Sequence, residues 1–308
     1  MKQMKQFIKW AIFLAVLAVV GRAIVIQFQA VSWQQVRFNW SLIALAAALV
    51  AAARFMAVFN YRHLLAVFGQ RTPPAAWVAV AWAPQLGKYV PGKVASVAGA
   101  AWVLGVFNVP ISVTTAIIFL LTGLSTAVGI VLSLPLTLWQ PVLQRLPLGW
   151  LWCLALLVAG GVCLHPRIFR IIVAAVLKVL RRPMIPTPQK TAHYYRPLAS
   201  ILGQWILLGA AMWAVACSVA DQSWRELPFC VSAQAMSAAL GFLAFFAPAG
   251  LGVREGILLL LLNPTLGPGN AAIVVVAWRL LATLMDALLA AAGMFVLKRH
   301  LAAREEAQ

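Results

Sequence analysis

Residues 112–133 contain no charged side chain, and comparable apolar runs, broken by few charges, lie at about 7–27, 40–60, 148–164, 198–220 and 271–297. About 20 predominantly apolar residues are what a helix needs to cross a hydrocarbon core roughly 30 Å thick. A soluble domain carries about 25% charged residues. This chain of 308 residues carries 10%, with 64% hydrophobic residues and a mean hydropathy of +0.93. It could not cover its surface with polar groups in water. The pattern predicts an all-α, polytopic transmembrane helical bundle, built as one integral membrane domain over residues 1–308.

The net charge of +18 would suggest nucleic acid in a soluble protein. Here the basic residues sit at the ends of apolar segments, as the positive-inside rule requires. Nucleic acid is therefore not the expected partner, and anionic membrane lipids are. Cys153, Cys163, Cys217 and Cys230 lie in or beside apolar runs without a C-x-x-C pair, so they read as small packing residues. His63, His165, His193 and His300 show no ligand spacing. No metal site and no cofactor are predicted. Lys2, Lys5 and Lys9 precede the first apolar run as in a signal peptide, but the run continues to Phe28 without a small-residue cleavage site. A retained first helix is expected.

Two regions differ from the simple spans. The first, about 75–107, is interrupted by Gly87-Lys-Tyr-Val-Pro-Gly-Lys93; the second, about 229–262, by Pro248-Ala-Gly-Leu-Gly252. A continuous helix of some 33 residues would measure about 50 Å, too long for one crossing, while two crossings want about 40 residues. Two half-length arms meeting at a break fit the length better, and Pro and Gly supply the turn. About six full spans plus two re-entrant broken-helix hairpins result, or about eight membrane segments. The order span, hairpin, span then occurs twice from opposite faces, which is the inverted-repeat arrangement of secondary transporters. Pairs of short full spans would give the same loop count.

Segment 165–197 is a cytoplasmic basic stretch in this reading. It carries Arg167, Arg170, Lys178, Arg181, Arg182, Lys190 and Arg196 without an acid, with Ile168, Ile171, Ile172, Ala175 and Val179 at helical spacing. This fits an interfacial amphipathic helix, followed by a linker marked by Pro183, Pro186 and Pro188. With Lys2/Lys5/Lys9, Arg62/Arg71 and Lys298/Arg299/Arg304, it places both termini in the cytoplasm of a bacterial-type inner membrane. Arg37, Arg145 and Arg225 mark the outer loops.

Each hairpin's second arm is expected to begin with a basic residue: Lys93 after Pro91-Gly92, and Arg254 after Pro248, Gly250 and Gly252. Unpaired N–H groups and the helix dipole make such ends suited to phosphate, and a Lys or Arg adds to this. The bland alternative is that Lys88 and Lys93 snorkel to an interface. Glu255 and Asp286 are the acids away from loops and tails. Ionisable groups within spans cost roughly 2.5–3.5 kcal/mol each on insertion scales and are candidates for function. Asp286 lies about 18 Å along the helix from Lys298, with Arg279 on the same stripe but too distant for an easy pair. Arg254 with Asp286, or Glu255 with Arg279, are the pairings to expect, and they would serve either a structural ion-pair network or proton coupling. Arg22 and Arg54 read as residues near span ends that snorkel.

The two breaks also carry a family likeness. Gln85-Leu-Gly-Lys-Tyr-Val-Pro-Gly-Lys-Val-Ala-Ser-Val-Ala-Gly99 resembles the first signature of the lysylphosphatidylglycerol synthase transmembrane region. Ala239-Leu-Gly-Phe-Leu-Ala-Phe-Phe-Ala-Pro-Ala-Gly-Leu-Gly-Val-Arg-Glu-Gly256 resembles its second, more specific one. Order, separation and flanking spans agree over nearly the whole chain. The resemblance implies a flippase-like protein that moves a lipid with a polar headgroup between leaflets. Pro91, Gly92 and Lys93 would line the first break, and Pro248, Gly250, Gly252, Arg254 and Glu255 the second. Ala95 and Ala100 stand where larger or basic residues are common in similar sequences. Bifunctional family members also carry a soluble aminoacylating domain, and this sequence ends at Gln308, so lysyl-lipid synthesis is not expected.

Residues and resemblance together predict a non-enzymatic translocase of a lipid or lipid-linked headgroup. Enzyme signatures such as G-x-S-x-G, zinc spacings or a phosphate loop are missing. The alternative is an accessory subunit that anchors a lipid-modifying or glycosyl-transferring membrane enzyme. The topology is testable directly. Reporter fusions after Gly69 and Lys190 should report the cytoplasm, and those after Gln35 and Gln222 the outside. An external signal after Lys190 would overturn the orientation.

Overall fold

The structure is a computed structural model that describes residues 38–89, 94–136, 192–244 and 247–306, with single helical positions at 22, 25, 26, 29, 158, 167, 171 and 174. Most of the predicted spans 7–27 and 148–164 and of segment 165–197, and Pro91, Gly92 and Lys93, lie outside the described residues. Among the described residues the chain is helical, with no strand: α1 (Trp40–Val67), α2 (Pro74–Trp82), a 3₁₀ turn (Ala83–Tyr89), α3 (Val94–Val106), α4 (Ile111–Ser133), α5 (Ala192–Val219), α6 (Leu227–Leu243), a short turn (Pro248–Gly250), α7 (Val253–Leu266) and α8 (Pro268–Glu305). Trp40–Val67, Ile111–Ser133, Arg196–Val219 and Pro268–Glu305 are long and apolar enough to cross a membrane. The protein is an all-α membrane helical bundle.

Both interrupted regions are broken helices. In the first, α2 tightens into the 3₁₀ turn Ala83–Tyr89 before α3 resumes at Val94. In the second, Ala249, Gly250 and Gly252 have φ of 50°, 71° and 83°, positive values that glycine adopts freely and Ala249 only at a cost. At 13 and 14 residues, α3 and α7 are about 20 Å long, short of a full crossing.

Other boundaries move. The helix expected at 40–60 continues to Val67, because no breaker intervenes before Gly69 (φ 70°). The last helix exceeds its expected 271–297 and has 38 residues, about 57 Å, so its basic end extends well past the apolar stretch. α5 starts at Ala192 and holds Pro197 inside it, where the sequence suggests linker.

The two broken helices, called hairpins below for their two arms, pack toward opposite ends of α1 and α8. Arg62, near the end of α1, lies 5.3 Å from the Trp77 ring at the start of α2. Arg304, at the end of α8, donates to the Val106 carbonyl at the end of α3 (3.0 Å). Both outer ends of the first hairpin thus meet the same end of the α1/α8 pair. Around it lies one buried cluster, including Leu64, Leu65, Leu104, Ile117, Leu120 and Leu297. A second cluster surrounds the outer half of the other hairpin, including Val50, Met212, Phe229, Leu258, Leu262 and Trp278. Between the two clusters the breaks meet, the turn Ala83–Tyr89 touching the turn Pro248–Gly250.

Close helix contacts rest on glycine. A Cβ on Gly209 of α5 would stand 2.4 Å from the Val231 Cα of α6, so the two backbones could not approach as they do. Gly105 on α3 has nothing within 4 Å. Gly209→Ala should therefore destabilise the protein by about 1–3 kcal/mol, whereas Gly105→Ala should change it by less than about 0.5 kcal/mol. Thermal unfolding of the purified variants in detergent would measure this, and equal stability would contradict the packing.

Candidate functional site: an ionic seam where the two breaks meet

Asp286 sits midway along α8 and is 1% exposed. A carboxylate so placed needs partners. One oxygen faces Arg54 Nη2 at 3.1 Å; the other faces Lys88 Nζ at 2.5 Å and the Tyr89 hydroxyl at 3.1 Å. Tyr89 also lies 3.1 Å from the Thr283 hydroxyl, one turn back on α8. Lys88 reaches Gln85 Oε1 at 3.3 Å, and Gln85 donates to the Ala81 carbonyl at 2.8 Å. The Trp82 indole donates to the Arg54 carbonyl at 3.1 Å. The first hairpin's turn is thereby fastened to both α1 and α8.

Glycine lets these pieces close. A Cβ on Gly293 would stand 2.6 Å from the Ala83 nitrogen, and one on Gly87 2.7 Å from the Ser96 nitrogen, so neither α8 nor the second arm could approach the turn. A cavity of about 130 Å³ opens beside Lys88, lined also by Tyr61, Gln85, Ser96, Val80 and Ala100.

The second hairpin supplies Glu255 and Arg254 at the start of α7. Glu255 is 7% exposed. Its Oε2 accepts from the Gly252 N–H at 2.6 Å, capping the helix, while Oε1 pairs with Arg279 of α8. Arg254 differs. It makes no ion pair or hydrogen bond with a described residue, and its buried Nε is without an acceptor. The guanidinium lies 5.1 Å from the Phe242 ring, and the side chain crosses the backbones of Gly241 and Gly250, where a Cβ would come within 2.6 Å and 2.8 Å of it. Arg254 lies within electrostatic range of Arg54, Glu255 and Arg279, and Lys88 within range of Arg254.

Of the two pairings the sequence suggests, Glu255 with Arg279 forms. Asp286 pairs with Arg54 and Lys88 instead of Arg254. Arg54 does not snorkel from a span end: because α1 runs on to Val67, Arg54 falls at its middle. Lys88 likewise turns inward to Asp286. Pro248, Gly250 and Gly252 form the second turn as expected. Sequence reasoning missed Arg54, Lys88, Tyr89, Gly241 and Gly293. A lysine and tyrosine inside a Pro/Gly break were the available signal for two of them. Among the described residues no group of His, Cys, Asp or Glu could hold a metal.

No protein-family model matches the chain, and no curated protein matches it. The likeness to the lysylphosphatidylglycerol synthase transmembrane region rests on the two motifs.

Removing one partner of a buried pair leaves the other charge uncompensated. Asp286→Asn should cost on the order of 3 kcal/mol by that rule, and adding Lys88→Met should restore a substantial part of it. A double-mutant cycle on thermal unfolding in detergent tests this. Strict additivity of the two changes would exclude the pair.

Proposed function

We propose that the protein is a flippase-like translocase that moves a lipid with a phosphate-bearing or lipid-linked headgroup between leaflets. It acts without chemistry of its own, in the inner membrane of a bacterial-type cell, with both termini cytoplasmic. The observation that carries the reading is Arg254, a guanidinium inside an apolar bundle, lacking a counter-ion among the described residues, where two helix breaks meet. A bare guanidinium there is costly and keeps its proton. An anionic headgroup would complete it, bidentately in the case of phosphate.

The arms support the same reading. The outer ends of the first hairpin lie at one end of the α1/α8 pair, and its turn lies beside Arg54 and Asp286 at mid-helix. This supports a re-entrant hairpin over a pair of short full spans. With a second hairpin against the opposite end of the bundle, the arrangement becomes six spans plus two hairpins in inverted repeat, with the site near the midplane. A headgroup entering from either leaflet would traverse one hairpin's depth to reach the seam, and the acyl chains would stay in lipid. Glu255 and Arg279 position the turn that presents Arg254. Asp286 holds Lys88 and Arg54 at the seam, and it is the carboxylate placed to exchange a proton as those cations turn to the headgroup.

Reconstituted into liposomes with a fluorescent-tailed phosphatidic acid, the protein should move lipid across the bilayer. Arg254→Gln should slow this at least tenfold, and Arg254→Lys should fall between. Because Asp286 is paired with Arg54 and Lys88, adding Asp286→Asn to Arg254→Gln should not rescue transport. Rescue by the double variant would make Arg254 a charge balancer and sink the headgroup role.

A further inference from the structure

The seam is charge-imbalanced in a way the chain cannot correct. Among the described residues Arg54, Lys88, Arg254 and Arg279 gather around Asp286 and Glu255 alone, an excess of two positive charges. The whole chain has six acids. The other four, Asp221, Glu226, Glu305 and Glu306, lie in the loop after α5 and at the end of α8. No further carboxylate exists in the sequence to approach the site. Both carboxylates present are engaged, Asp286 by Arg54, Lys88 and Tyr89, and Glu255 by Arg279 and the Gly252 N–H. Three of the cations are guanidiniums, which do not lose their protons, so some excess persists whatever the state of Lys88.

We infer that the site selects a dianionic phosphate, a phosphomonoester or diphosphate headgroup, over monoanionic, zwitterionic or aminoacylated ones. This rests on the translocase reading above and names its cargo class. A terminal phosphomonoester carries about −1.5 to −2 charges near neutral pH, which matches the excess. It also offers three acceptor oxygens, enough for more than one cationic donor. A phosphodiester such as phosphatidylglycerol leaves one positive charge uncompensated at low dielectric. An amine-bearing headgroup is worse placed, because its ammonium would have to compete with cations already holding both carboxylates. The cavity beside Lys88, about 130 Å³ with Tyr61, Gln85 and Ser96 in its walls, has polar groups for a small oxyanion and no acid for an amine. On this logic the cargo differs from the lysyl-lipid that the resemblance alone would suggest.

The test measures equilibrium binding to the full-length protein in detergent at pH 8, by isothermal titration calorimetry. The probes are dihexanoyl phosphatidic acid, dihexanoyl phosphatidylglycerol, dihexanoyl phosphatidylethanolamine and inorganic phosphate. Phosphatidic acid should bind at least tenfold more tightly than phosphatidylglycerol, with no saturable binding of phosphatidylethanolamine. Inorganic phosphate should bind at least tenfold more weakly than phosphatidic acid. A preference for phosphatidic acid over phosphatidylglycerol below tenfold, or saturable phosphatidylethanolamine binding, overturns the dianion inference and leaves the headgroup reading standing. Inorganic phosphate binding as tightly as phosphatidic acid would make this a free-phosphate site and overturn the lipid assignment. Phosphatidic acid binding equally to wild type and Arg254→Gln overturns the headgroup reading itself. A second variant alters the charge without removing a partner. Gln85→Glu is nearly isosteric, stands beside Lys88 and reduces the excess to one. It should bring the preference for phosphatidic acid over phosphatidylglycerol down to about one, and an unchanged preference in the folded variant overturns the inference.

Discussion

The carboxylate of Asp286 fixes the height at which everything else in this bundle is arranged. An isolated charge that deep in an apolar interior would be untenable and needs partners. They are Arg54 of α1, as an ion pair, and Lys88 and Tyr89 of the first hairpin's turn, which donate to it. Three pieces of chain distant in sequence are thereby held at one level. The 3₁₀ turn has poorer internal hydrogen bonding than an α-helix, so it depends on such outside attachments to keep its place. The Trp82 indole on the Arg54 carbonyl and Gly293 under Ala83 serve the same end.

Glu255 performs a parallel task for the second hairpin with different chemistry. Where Asp286 gathers side chains, Glu255 spends one oxygen on a backbone N–H, that of Gly252. The left-handed residues Ala249, Gly250 and Gly252 turn the chain so that α7 can start in the interior, and the carboxylate satisfies one of the donors a helix start exposes. Arg279 then neutralises Glu255. Arg254 comes from the same turn and is threaded across Gly241 and Gly250 with no anion left for it. The asymmetry between these neighbouring residues separates a group that holds the structure from one without an ion-pair partner among the described residues.

Much of this was legible in the sequence, for identifiable reasons. Pro248-Ala-Gly-Leu-Gly252 and the Gly87–Lys93 stretch are breaks that no continuous helix would accept, and arm length follows from counting residues between breaks and spans. Glu255 and Arg279 could be named as partners because acids are so scarce that the combinations are few. Arg54 is illegible because its place depends on helix length: a span ending at residue 60 puts Arg54 near its end, whereas a helix to Val67 puts it at the centre. Lys88 was misjudged because a lysine beside a break is equally consistent with snorkelling outward. Which way it turns depends on Asp286, 198 residues away, and no local spacing encodes that. The glycines were illegible for a related reason. Gly241 and Gly293 stand inside regular helices, and only the neighbour's approach reveals what a methyl group would displace.

The coincidence of breaks and charges has a physical cause. Backbone that leaves helical geometry at membrane depth is tolerated only where it is buried in protein or lines a polar cavity. Charged side chains at that depth are tolerated only among partners. Each requirement supplies what the other lacks. The second turn presents the Gly252 N–H to Glu255, and charged residues cap or anchor the turns, as Glu255 does at Gly252 and Asp286 does through Lys88. Two hydrophobic clusters, one around each broken helix, pack to either side of the layer that holds the ion pairs. A bundle assembled on this plan gathers its described ion pairs at one level, with a cavity of about 130 Å³ beside Lys88. Arg254 is the cation at that level without an ion-pair partner among the described residues.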